Sequence, residues 1–146
     1  MTRHLPTIAR ILVGLVFALS GVTWFLPFVP KPPPPELVAP FMTGLVSTGY
    51  FLPLLKATEM VCGILLVANR FVPLALVILS PIVVQIAAFH FLFEHSGAPI
   101  AAVIVLLQIY LGWSYRNYFR GVVVAKAQPA SHSPSRDGQA VPVGAN

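Results

Sequence analysis

Lys56 and Glu59 stand three residues apart inside the apolar run LLKATEMVCGILLVA. On a helix that spacing puts an ammonium and a carboxylate on one face, where they can pair and where the carboxylate can take up or release a proton. Such charges are tolerated only if they face each other or a protein interior, because a charge in mid-membrane costs about 2.5 to 3.5 kcal/mol on insertion scales. Trp24, Gln85 and Gln108 are three further polar side chains embedded in apolar surroundings. His90 and Glu94 are four apart, with His95 directly after. Imidazole and carboxylate one turn apart could ligate a metal, yet the pattern HxxxEH at a loop edge serves equally well for hydrogen bonding at an interface. We read Glu94 and His95 as an outer mouth and expect no metal.

Packing explains part of this set without function. Lys56 and Glu59 can be a buried pair that fixes helix register, and the two glutamines can be interhelical glue worth about 0.6 kcal/mol each. Cys62 is the only cysteine, which excludes an intrachain disulfide and dithiol redox chemistry, and it reads as a small buried hydrophobe.

The elements that must carry these residues are membrane helices. The chain has 146 residues, of which 57% are hydrophobic and 9% charged, with a mean hydropathy of +0.83, far from the make-up of a soluble domain. Its net charge of +5 comes from basic residues at the ends of apolar runs, not from a patch with interleaved aromatics. That is the positive-inside pattern and argues against nucleic acid. The expected fold is all-α: a polytopic four-helix transmembrane bundle over residues 1–120, with helices at about 8–28, 51–68, 72–93 and 100–115. The first reads as an uncleaved span, since its apolar region exceeds that of a signal peptide. Four prolines follow Lys31, and Leu37 to Val46 is too short to span, so an interfacial or re-entrant segment is expected between helices 1 and 2. Residues 121–146, rich in Ala, Ser, Pro and Gly, read as a flexible cytoplasmic tail.

Arg10, Gly14, Phe17, Gly21 and Trp24 fall on one face of helix 1, with glycines that allow close approach. Lys56, Glu59, Gly63, Leu66 and Arg70 share a stripe on helix 2. The Asn69-Arg70 turn makes helices 2 and 3 antiparallel neighbours. Pro81, inside helix 3, should kink it and free a carbonyl that needs another partner. With the N-terminus inside, Arg3, Arg10, Arg70, Arg116, Arg120, Lys126 and Arg136 fall on the inner side against Lys31 and Lys56, which puts both termini in the cytoplasm. With the arginines as the inner boundary, Gln108 lies roughly 12 Å in, Glu59 roughly 16 Å, and Lys56, Trp24 and Gln85 roughly 21 to 23 Å. His90 lies at roughly 30 Å. The overlap in depth suggests one interior polar pocket opening outward.

The start RILVGLVF, the phrase TGYFLPLLKATEMVCGILLVANRFVPLAL and the following SPIVVQIAAFHFLF together resemble the DoxX family of small bacterial and archaeal membrane proteins. The likeness runs from Arg10 to Arg120, and its matching positions are Lys56, Glu59, Gly63, Asn69, Arg70, Pro73, Pro81 and His90. It implies a four-helix bundle in a prokaryotic inner membrane, associated with respiratory redox chemistry. The family takes its name from a subunit of a terminal quinol oxidase, and relatives look like small subunits of thiosulfate:quinone oxidoreductases.

Two functions are compatible with these residues. In the first, the chain is an accessory subunit whose polar layer (Trp24, Lys56, Glu59, Gln85, His90 and Gln108) holds a quinone, with a redox partner protein supplying electrons. No haem ligand pair, flavin fingerprint or Fe–S cysteine set makes the chain a self-sufficient oxidoreductase, so no intrinsic cofactor is expected. In the second it is a non-enzymatic structural, assembly or small-solute-handling protein. A pore formed from four short spans would require a homo-oligomer.

Overall fold

The computed structural model describes residues 4–30 and 33–119. The expected tail and Lys31, Arg3, Arg120, Lys126 and Arg136 lie outside the described residues. Within them the chain is all-helical, with five α-helices: α1 (Leu5–Phe25), α2 (Ala39–Ser47), α3 (Phe51–Val67), α4 (Val72–Leu92) and α5 (Ala98–Ser114).

The boundaries follow local chemistry. α1 starts and stops three residues earlier than the apolar run suggested. Pro6 suits its first turn, and Pro27 forces Leu26 into an extended conformation with ψ 122°. α2 is the short segment expected after the prolines, preceded by one 3₁₀ turn at Glu36–Val38. The segment Glu36–Ser47 meets α3 at 89°. The chain makes that corner at Gly49, whose φ of +72° falls in the left-handed region that glycine occupies without penalty. α4 begins after Asn69 and Phe71, both at positive φ.

α1, α3, α4 and α5 close into a ring, each packed against two of the others, with α1 on α3 the most extensive pair. Each contributes one large, fully buried side chain to the core, Phe17, Leu66, Leu79 and Leu111 respectively. Of the face expected on α1, Arg10, Gly14, Phe17 and Gly21 are buried, joined by Val13, while Trp24 is half-buried. Glycines let α1 and α3 touch: a Cβ on Gly63 would collide with the backbone of Ala18, and one on Gly21 would stand 2.7 Å from the Lys56 carbonyl oxygen. On α5 the inward stripe is Ala101, Ile104, Gln108 and Leu111, whereas a Cβ on Gly112 would border open space.

Leu5–Phe25, Val72–Leu92 and His95–Ser114 are long and apolar enough to cross a membrane. Their outward faces are apolar as well, with Leu12, Leu19, Leu74, Val84, Val103, Leu106 and Ile109 all exposed. α3, at 17 residues, is shorter than these.

Pro81 lies inside a continuous α4 and has no N–H for the carbonyl of Val77. The hydroxyl of Ser80 donates to that oxygen at 2.8 Å instead. At the adjacent residue, the Gln108 amide of α5 donates to Leu76 O at 2.9 Å. The carbonyl freed by proline is thus satisfied within its own helix, and the neighbouring one is tied to α5.

Candidate functional site: a polar cluster on an apolar groove

Glu59 is buried on the α1-facing side of α3, with 2% of its side chain exposed. Its Oε2 accepts from Lys56 Nζ at 2.8 Å and from Ser20 Oγ of α1 at 2.9 Å. Lys56 Nζ also donates to Ser20 Oγ at 3.1 Å, which closes a three-membered cluster. The helical spacing of three brings the pair together, and the glycine seam brings Ser20 within reach. In low dielectric such a cluster holds the carboxylate firmly, since each partner satisfies a group that would otherwise be stranded.

The cluster forms part of the wall of a groove of about 630 Å³ between α2, α3 and α4. Lys56, Glu59, Gln85 and His90 all line it, among Phe41, Phe51, Ile82 and Phe89. Four of the six candidate ligand-binding residues therefore share one surface. A second groove, of about 710 Å³, adjoins the first through Met42 and Phe89 and is lined by Trp24, Pro33, Leu52 and Glu94. Trp24 thus belongs beside the pocket and not in it. Gln108 is on the far side of α4, bonded to Leu76 O, with its own Oε1 buried and unpaired among the described residues. A depth estimate along the membrane normal ranks residues by height and is blind to which side of a helix they occupy.

At the end of the groove His90 Nδ1 is 2.8 Å from Ile86 O, and Nε2 lies 3.4 Å from Glu94 Oε2. Ser96 Oγ donates to the other Glu94 oxygen. His95 is exposed in the 3₁₀ turn His95–Gly97. No group of three His, Cys, Asp or Glu side chains placed to hold a metal occurs among the described residues. Glu94 is engaged by His90 and Ser96, so the sequence HxxxEH folds into a local hydrogen-bonded lock between α4 and the turn that follows it.

Ser20 went unread in the sequence, and Arg10 was read as lying on the face of helix 1 but not as a partner of α3. Ser20 gave one available signal, a hydroxyl adjoining the Phe17, Gly21 and Trp24 face. Arg10 is buried at 6% exposure and is not a boundary marker at the water surface. Its Nη1 donates to Leu66 O and, at 3.2 Å, to Val67 O, the last carbonyls of α3, while Nε has no partner among the described residues. Cys62 is buried in the core cluster beside this seam. Compared with models of known protein families, with curated proteins and with solved structures, the chain matches none of them.

Proposed function

We propose that the chain is a four-span integral protein of a prokaryotic inner membrane, similar to the DoxX family, and serves as an accessory subunit of a quinone-linked redox system. The observation that carries this reading is the buried Ser20, Lys56 and Glu59 cluster in the wall of an apolar groove. The apolar outward faces of α1, α4 and α5 support a bilayer environment. α3 supplies the fourth span: about 26 Å of helix, with α2 lying across its outer end at the interface. Arg70 and Arg116 follow the inner ends of α3 and α5, and Arg10 joins the start of α1 to the same end of α3. By the positive-inside rule that end is cytoplasmic.

A quinone ring presents two carbonyl oxygens on an otherwise apolar body. The groove offers Lys56 Nζ and the Gln85 carboxamide as donors among aromatic and aliphatic walls. Glu59 is the carboxylate able to pass the proton that accompanies reduction, and a partner protein delivers the electrons. The second reading, a purely structural role, is favoured by one observation: the three polar groups of the cluster satisfy one another across the α1–α3 seam.

The two separate on the lipophilic molecules that co-purify with the protein from its native membrane. A quinone retained by the wild type and lost from Glu59→Gln, at equal protein abundance, is the expected result. Lipid alone in both, with Glu59→Gln reduced in abundance, would establish the structural role instead.

A further inference from the structure

The groove opens through the side of the bundle. Leu55 on α3 and Pro81 and Gln85 on α4 line it there, and both α4 residues are exposed. Gln85 lies about 20 Å along α4 from its inner end, at a height that belongs to hydrocarbon if the helix spans the membrane. Its carboxamide makes no hydrogen bond to any described residue, unlike Gln108, which is bonded to Leu76 O. A carboxamide facing lipid with no partner is costly, because hydrocarbon offers nothing to bond. α2 roofs the opening without closing it: Phe41, Met42 and Leu45 line the groove, yet no residue of α2 itself is buried.

We propose that this opening is a lateral entry from the bilayer. A lipid-borne ligand with an oxygen-bearing ring and an apolar chain passes between α3 and α4 beneath α2. The Gln85 carboxamide hydrogen-bonds the ring as it reaches Lys56 and Glu59, and the chain stays at the Leu55 and Pro81 edge. The ligand class is therefore a membrane-partitioned quinone and not a water-soluble one, which rests on the quinone reading above. Gln85 is a recognition residue, whereas Glu59 is a proton-handling one.

The test uses the full chain in phospholipid nanodiscs and a decyl-chain ubiquinone carrying a diazirine at the end of its chain. After irradiation, labelled peptides are mapped with and without excess decylubiquinone. The expected label falls on residues 54–58 and 77–85, is removed by the competitor, and drops at least about tenfold in Gln85→Leu, the loss of one well-shielded hydrogen bond. Gln85→Leu keeps the side-chain bulk at an exposed apolar edge, so its fold is retained. Competed label confined to residues 33–46 would overturn the lateral route and leave the quinone reading standing, as would equal labelling of wild type and Gln85→Leu for the role of Gln85. No competed label anywhere overturns both.

Discussion

Arg10, in the second turn of α1, donates through Nη1 to the carbonyl oxygen of Leu66 in the last turn of α3. Helices end with carbonyls that have no intrahelical donor and carry the negative pole of the helix dipole, so a guanidinium there answers both needs. Its charge lies against the end of another helix and not in water, which explains an arginine two residues inside an apolar run. Arg10→Leu strands those carbonyls and should lower stability by about 2 kcal/mol. Arg10→Lys, which keeps the charge but loses the fork, should lose less. Unfolding in detergent micelles, followed by helical circular dichroism, measures both, and a leucine variant as stable as wild type would remove the cap from the account.

Gly63 is the residue that sets how closely α1 and α3 approach. A Cβ there would stand 2.6 Å from the Gly14 carbonyl oxygen and closer still to the backbone of Ala18, so neither wall is a side chain that can swing away. Gly63→Ala should cost about 1 to 3 kcal/mol as the helices part, and it should loosen Ser20 from Glu59. Gly112→Ala is the matched control. Open space surrounds that Cβ, and removing a helical glycine should gain about 0.5 to 1 kcal/mol. Thermal midpoints of the two variants should therefore move in opposite directions.

Much of this arrangement was legible in the residues, and the reason is periodicity. The four-and-three spacing of Arg10, Gly14, Phe17 and Gly21 names the buried face of α1, and the spacing of Lys56 and Glu59 names their pairing. Which helix each face meets is a tertiary fact. Ser20 became a member of the cluster only because glycines at 14, 21 and 63 bring its backbone in, and nothing local to Ser20 announces that. Gln108 illustrates the opposite error. Its depth matched the polar layer, yet it bonds the backbone of Leu76 next to the turn disturbed by Pro81.

The Lys56 and Glu59 pair should be strongly coupled. Removing one charge leaves the other buried without its partner, with Glu59 2% and Lys56 21% exposed, so Lys56→Met and Glu59→Leu should each cost about 3 kcal/mol. The double variant should cost clearly less than the sum, because it replaces both charges with packable apolar groups. Such a folded double variant is also the decisive reagent for function. If it folds and inserts normally yet no longer retains quinone, the cluster serves the ligand as well as the seam. Additive single and double effects would show that the two charges do not depend on each other.

Phe71 carries a conformation its side chain does not favour. As the residue before α4 it has φ 49° and ψ 35°, left-handed values at which a bulky Cβ crowds the neighbouring carbonyl. Asn69, two residues earlier at φ 56°, is of a type that visits this region at low cost, so the strain of the turn concentrates at Phe71. The ring is 66% exposed and repays little of this by packing within the chain. Phe71→Gly should therefore stabilise the α3–α4 turn by about 1 kcal/mol despite the loss of an aromatic residue. Asn69→Val should destabilise it, since a β-branched side chain is worse than asparagine at positive φ. If Phe71→Gly instead lowers stability in liposomes but not in detergent, the ring is an interfacial anchor whose contact with lipid outweighs the backbone cost. The same pair of measurements thereby tests whether this turn sits at the membrane surface, where the proposed orientation puts it.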